Sequence, residues 1–143
     1  MKVLIVDDEP GVLTTLEIML YEHGHVVSSC AGVDEALKAI RKERFDIVIA
    51  DIFMPDGDGV SLITDILKED DKNQCETKIL AISGGQPAWL QKSERHHLKN
   101  MPDTLFADGF ISKPFNSKEL KSEMTRLMNK KGPEKTILPS ASQ

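Results

Sequence analysis

Short apolar runs alternate with segments of helical periodicity along most of this 143-residue chain. The runs are mostly rich in β-branched residues and fall at residues 2–7, 25–30, 45–51, 78–83 and 109–113. Several of them are apolar throughout rather than at every second residue, as is typical of strands covered on both faces of a parallel sheet. The alternation predicts an α/β fold: a doubly wound five-stranded parallel sheet, flavodoxin-like, with helices on both faces. We expect the strand order 2-1-3-4-5.

The segments between the runs carry apolar stripes at helical spacing. Pro10 suits the first turn of the first helix, and Asn116 with Glu119 has the spacing of a helix cap. A further helix is expected at about residues 87–100, followed by a loop. The four apolar stripes are Val12, Leu13, Leu16, Met19 and Leu20; Val33, Ala36, Leu37 and Ile40; Leu62, Ile63, Ile66 and Leu67; and Leu120, Met124, Leu127 and Met128.

Length and composition predict a single domain at residues 1–129. Periodicity is lost from residue 130, so residues 130–143 are expected to be a flexible tail or the start of a linker. Hydrophobic residues make up 40% of the chain and charged residues 29%, a globular balance.

A net charge of −5 argues against direct binding to nucleic acid or to an anionic membrane. No run approaches the roughly 20 apolar residues that span a bilayer, so a cytoplasmic protein is expected.

Acidic residues stand at the ends of two predicted strands. Asp7 and Asp8 follow the first run, and Asp51 closes the third. In an open α/β sheet, ligands bind outside the carboxyl ends of the strands, where the strand order reverses. In the expected order, strands 1 and 3 are neighbours at that point, so the three acids should share one crevice.

Such a group of acids requires either protons or a cation. Two unit charges about 4 Å apart repel by about 4 kcal/mol at an effective dielectric near 20. A hard divalent ion with oxygen ligands relieves this repulsion, and Mg²⁺ suits one or two carboxylates together with a phosphate. Taken one at a time, Asp7-Asp8 is as consistent with an N-cap pair of the first helix as with a site, and Asp51 is as consistent with an ordinary acid of a loop.

The remaining strand ends favour a phosphate site. Ser83 is followed by two glycines, and Lys113 ends the fifth run. A metal, an ammonium, a hydroxyl and accessible backbone N–H groups are the parts that hold a tetrahedral dianion. A carboxylate in their midst, Asp51, is a competent nucleophile for phosphoryl transfer.

Together these residues closely resemble the receiver domains of response regulators. The resemblance rests on Asp7-Asp8, on Asp51 with the Ile-Phe-Met-Pro-Asp-Gly-Asp-Gly that follows it, on Ser83-Gly84-Gly85, and on Lys113-Pro114-Phe115. It runs from about residue 2 to residue 129.

The resemblance implies a role for each matching residue. Asp51 would accept the phosphoryl group. Mg²⁺ would be held by Asp8 directly, by Asp7 through water, by Asp51 and by the backbone carbonyl of Phe53. Lys113 would pair with the phosphoryl group, and its bond to Pro114 would be cis. Ser83 would swing inward to bond a phosphoryl oxygen, and Phe110 would be the switch aromatic that follows it.

The function that the resemblance implies is a phosphorylation-dependent switch in a two-component phosphorelay. A histidine kinase or histidine phosphotransfer protein would supply the phosphoryl group, and a downstream protein partner would read the change. Such a domain catalyses its own phosphorylation and dephosphorylation but is not a turnover enzyme. Residues 84–108 and the loop around residues 70–76 are longer than is usual in the family.

Three other functions fit parts of the sequence. An aspartyl-nucleophile phosphohydrolase commonly has an acid two residues after its nucleophile, where this chain has Phe53. A flavodoxin-like cofactor binder needs a phosphate loop after the first strand, where Asp7 and Asp8 would repel phosphate. The third is a receiver used only for protein interaction. The chain is also consistent with the receiver domain of a larger regulator whose output domain lies beyond residue 143.

Overall fold

The computed structural model describes residues 1–51, 59–74, 76–83, 106–129 and 136–137. Five parallel strands form the main sheet in the order β2-β1-β3-β4-β6. These strands are β1 (Lys2–Val6), β2 (Val26–Cys30), β3 (Ile47–Asp51), β4 (Lys78–Ser83) and β6 (Gly109–Ser112). The helices are α1 (Pro10–Glu22), α2 (Val33–Lys42), α3 (Gly59–Asn73) and α4 (Ser117–Asn129). The predicted fold class and strand order are confirmed, since β6 is the fifth strand of the prediction.

The two faces of the sheet bury separate apolar layers. In β1, Leu4 and Val6 face one layer, whereas Val3 and Ile5 face the other, because successive side chains of a strand point to opposite faces. Helices α2 and α3 cover the first layer, and α1 and α4 cover the second. This double cover explains why the central strands are apolar throughout, with all five residues of β3 buried.

The helix predictions hold with small corrections. Pro10 lies in the first turn of α1, and the Asn116 side chain accepts a hydrogen bond from the Glu119 backbone N–H at 2.8 Å, as expected of a cap. The interpretation of residues 70–76 as a long loop was wrong at its start, because α3 continues to Asn73. Met128 was expected on the buried stripe of α4 but is 50% exposed in the last turn of that helix.

A second, two-stranded sheet was not predicted. Strand β5 (Phe106–Ala107) pairs antiparallel with β7 (Thr136–Ile137). Strand β7 lies within residues 130–143, which were expected to be a tail or linker. No alternating pattern marks such short strands in the sequence. The helix expected at residues 87–100 lies outside the described residues. The division at residue 129 stays a prediction.

Candidate functional site

The acidic residues meet at the carboxyl edge of the sheet. Val6, the last residue of β1, pairs with Ala50 of β3, so Asp7 and Asp51 continue two adjacent strands. Asp7 is fully buried, and Asp51 is 3% exposed. The carboxylates of Asp7, Asp8, Glu9 and Asp51 place oxygens within 4.8 Å of one another. The predicted convergence of the first three acids is therefore confirmed, and Glu9 joins them.

Lys113 extends into this acidic group from the end of β6. Its Nζ lies 2.8 Å from Asp7 Oδ2, 3.2 Å from Asp51 Oδ2 and 3.3 Å from Glu9 Oε1. The Lys113 side chain is only 11% exposed. The Lys113–Pro114 peptide bond is cis, as the family resemblance implied.

The acids hold Lys113 in its charged form. Burial by itself lowers the pKa of this ammonium, but the hydrogen bond to Asp7 and the charge of Asp51 outweigh burial, and the pKa lies well above its ordinary value. A permanently charged ammonium is thus fixed within reach of the Asp51 carboxylate, where it can neutralise an anion attached to Asp51.

The backbone around Asp7 fixes the other wall of the site. The Asp7 N–H donates to the carbonyl of Cys30 at 3.1 Å, which ties the end of β1 to the end of β2. Asp7 Oδ1 accepts the N–H of Glu9 at 2.9 Å. The Glu9 carbonyl accepts the N–H groups of Val12 and Leu13 at 3.1 Å, so that Glu9 leads directly into α1. The backbone of the acidic turn is therefore held at both ends.

The donor set fits a hard divalent cation. Carboxylate oxygens are the ligands that Mg²⁺ prefers, and Lys113 compensates only part of the negative charge gathered here. The Asp7 and Asp51 carboxylates are both buried, where uncompensated charge is costly. Asp7, Asp8 and Asp51 are the residues that would hold the ion. Glu9 was missing from the predicted site, although its place directly after Asp7-Asp8 was a signal for it.

Three predicted site residues are not placed in this group by the described part of the chain: Phe110, Ser83 and Phe53. Phe110, in β6, is half-buried and packs against the layer beneath α2 and α3. Ser83 ends β4, where it pairs with Ser112, and nothing is described of its side chain. Phe53, with its proposed carbonyl ligand, lies outside the described residues. The structure thus brings together Asp7, Asp8, Asp51 and Lys113.

Comparison with known proteins identifies the family. The model of the response regulator receiver domain matches residues 3–125, so this chain belongs to that family. A curated relative, the two-component response regulator ARR11 of Arabidopsis thaliana, is 33% identical over 134 residues, which are 92% of this chain and 23% of that protein. The chain therefore spans about a quarter of that relative's length.

Solved receiver structures superpose closely. The chemotaxis protein CheY4 of Vibrio cholerae gives a TM-score of 0.71 at 27% identity and covers 88% of this chain and 97% of its own. The response regulator TrrA of Thermotoga maritima, solved with Mg²⁺-BeF, gives 0.67 at 28% identity over 88% of this chain and 97% of its own. A structure of the histidine kinase ThkA with TrrA gives 0.68 at 27% identity over 90% of this chain and 98% of the matched one.

These findings define the chain as a receiver domain of two-component signal transduction, with an acidic pocket that fits Mg²⁺ and aspartate phosphorylation. Receiver domains are signalling domains rather than turnover enzymes. None of the helices in the described part of the chain is long and apolar enough to cross a bilayer.

Proposed function

We propose that this domain accepts a phosphoryl group on Asp51, with Mg²⁺ bound by the neighbouring acids, and thereby switches its binding to a protein partner. The observation that carries the proposal is the position of Lys113. Its ammonium lies 3.2 Å from Asp51 Oδ2, within a group of four carboxylates whose negative charge this ammonium compensates only in part. A buried nucleophile, an adjacent cation and a divalent-ion site are what phosphoryl transfer to a carboxylate requires.

In the proposed reaction, an Asp51 carboxylate oxygen attacks the phosphorus of a phosphohistidine on a histidine kinase or phosphotransfer protein. The new O–P bond forms as the P–N bond breaks, and the histidine nitrogen retains the electron pair. Lys113 holds its charge throughout and pairs with a phosphoryl oxygen. When bound, Mg²⁺ neutralises charge on the phosphoryl oxygens. The protein's own contribution is position and charge compensation.

A histidine kinase is the proposed partner because TrrA, which resembles this chain, is solved with the kinase ThkA. Ser83 and Phe110 are the proposed route from the site to the partner surface. Phe110 pairs with Ala81 of β4, two residues before Ser83, so a change at Ser83 would occur on the strand next to the one that carries Phe110. Phe110 is half-buried against an apolar layer, so inward movement of its ring would bury more apolar surface and supply the second state of a two-state switch.

The first test is phosphorylation by a small donor. The protein is incubated with acetyl phosphate and Mg²⁺, and its intact mass is measured. We expect one phosphoryl adduct, absent with EDTA and absent from Asp51→Asn. Asp71→Asn, which removes an exposed acid from the last turn of α3, is the matched control and should keep the adduct. No adduct on the unmodified protein with acetyl phosphate or with a kinase would refute the proposal.

A further inference from the structure

Glu9 contacts the same ammonium as the two buried acids but from the solvent side. Its Oε1 lies 3.3 Å from Lys113 Nζ, and the Glu9 side chain is 62% exposed, whereas the Asp7 side chain is fully buried. The Glu9 carboxylate also belongs to the group whose oxygens lie within 4.8 Å of one another. Glu9 therefore forms the rim of the site, where an incoming phosphodonor first meets it.

The backbone of Glu9 is fixed, while its side chain makes no capping hydrogen bond to the helix. Glu9 is the N-cap residue of α1 in extended conformation, and its side chain makes no capping hydrogen bond. The backbone N–H is held by Asp7, and the carbonyl accepts the first hydrogen bonds of the helix. The turn that carries the side chain is thus fixed, and within the described part of the chain the Glu9 carboxylate is paired with Lys113.

We propose that Glu9 is a positioning residue of this site: its carboxylate retains the Lys113 ammonium at the rim in the unphosphorylated protein and so restrains phosphorylation of Asp51. This inference rests on the proposed function. Lys113 must give up part of its contact with the acids in order to pair with a phosphoryl group. Glu9 opposes that movement by direct contact, and its negative charge repels an anionic donor.

The same carboxylate has the opposite effect on the cation. Its charge adds to the negative potential that attracts Mg²⁺ to Asp7, Asp8 and Asp51. Glu9 therefore favours the ion and disfavours the phosphoryl group. A residue with only a structural role would change both steps in the same direction, whereas a residue with this role changes them in opposite directions.

Two substitutions separate the charge of Glu9 from its contact with Lys113. Glu9→Gln removes the charge and keeps the length, and Glu9→Asp keeps the charge but is one methylene shorter. An exposed ion pair contributes a factor of about two to five, so we expect changes of that size. In Glu9→Gln, the dissociation constant for Mg²⁺ rises and phosphorylation by acetyl phosphate at saturating Mg²⁺ becomes faster. In Glu9→Asp, the Mg²⁺ affinity stays near that of the unmodified protein and phosphorylation is again faster.

The experiment combines three measurements on the full chain: calorimetric titration with Mg²⁺, the rate of adduct formation with acetyl phosphate, and the hydrogen-exchange rate of the Lys113 ammonium protons in EDTA, followed by NMR. The Lys113 ammonium protons should exchange faster with solvent in both variants, because the contact with Glu9 is lost. An unchanged or slower phosphorylation rate in Glu9→Asp would overturn the proposal, as would an unchanged exchange rate of the Lys113 ammonium protons. If the unmodified protein takes no phosphate, the proposed function fails, and the exchange rate still decides whether Glu9 holds the lysine.

Discussion

Lys113 Nζ lies 2.8 Å from Asp7 Oδ2, which joins the loop after β6 to the turn after β1. The same nitrogen contacts Asp51, so a single ammonium joins the carboxyl ends of three strands, β1, β3 and β6. The Asp7 carboxylate is fully buried, and the ion pair compensates a charge that would otherwise be costly there. The site is therefore part of the stability of the domain as well as of its chemistry.

Replacement of Lys113 should destabilise the protein in the absence of Mg²⁺. In Lys113→Met, two buried carboxylates lose their cation, and we expect a loss of roughly 3–5 kcal/mol in the free energy of unfolding. Mg²⁺ should restore part of that loss, because an ion bound only to the folded state stabilises it. Urea denaturation in EDTA and in saturating Mg²⁺ measures both effects. Lys118→Met, at an exposed position of α4, is the control, and an equal loss in that variant would contradict the account.

Removal of one acid should have the opposite effect. Asp8 is exposed and lies in the acidic group, so its charge repels Asp7 and Asp51. We expect Asp8→Asn to raise the free energy of unfolding in EDTA by about 0.5–1 kcal/mol. The unmodified protein should gain more from Mg²⁺ than the variant does. Thermal denaturation with and without Mg²⁺ tests this, and a variant that responds fully to Mg²⁺ would show that Asp8 is not a ligand.

His25 should make the stability of the domain depend on pH. It follows Gly24, whose φ of +85° ends α1, and it is 8% exposed. Burial, the positive N-terminus and His23 lower its pKa below 6.5. The imidazole therefore binds a proton more readily in the unfolded chain than in the folded one. What neutral His25 contributes to the free energy of unfolding is lost as the pH falls from about 6.5 through the folded-state pKa. Urea denaturation between pH 7.5 and 5.5 should show that the free energy of unfolding falls more steeply for the unmodified protein than for His25→Gln; equal slopes would contradict this.

Phe110 should report the switch. A Phe110→Trp variant in which Trp89, the single tryptophan of the sequence, is replaced by Phe has its one tryptophan at the half-buried position. If the ring turns inward on phosphorylation, its emission should shift to shorter wavelength when Mg²⁺ and beryllofluoride are added. The same variant carrying Asp51→Asn is the control. An unchanged emission with bound beryllofluoride would mean that Phe110 is a fixed packing residue.

The sequence predicted the main sheet because its signals are local and strong. Continuous apolar runs such as Ile47–Asp51 indicate burial on both faces of the sheet. Asp7 and Asp51 stand directly at the ends of two such runs, so the sequence alone places them at strand ends. Once strands 1 and 3 are adjacent, the convergence of the acids follows from topology. Lys113 completes the group because β6 ends at the same edge of the sheet.

Other features depend on side-chain geometry that periodicity does not encode. Glu9 was not assigned to the site: its place directly after Asp7-Asp8 was a signal, but its contact with Lys113 depends on side-chain geometry. The end of α3 was misjudged because residues 69–73, four of which are charged, have a loop-like composition. Asp70 nevertheless accepts a hydrogen bond from the backbone N–H of Thr77 at 2.7 Å and so secures the connection to β4. The pairing of Phe106–Ala107 with Thr136–Ile137 joins residues far apart in the sequence.

The central claim is that Asp51 itself carries the phosphoryl group. The protein is treated with acetyl phosphate and Mg²⁺, reduced with borohydride, which converts an aspartyl phosphate into homoserine, and digested for peptide mass spectrometry. The account predicts homoserine at position 51. Its formation should depend on Mg²⁺ and should be much lower in Lys113→Met and in Asp8→Asn than in the unmodified protein. Homoserine at another acid with residue 51 unchanged, or none at all in a protein that has gained a phosphoryl adduct, would contradict it.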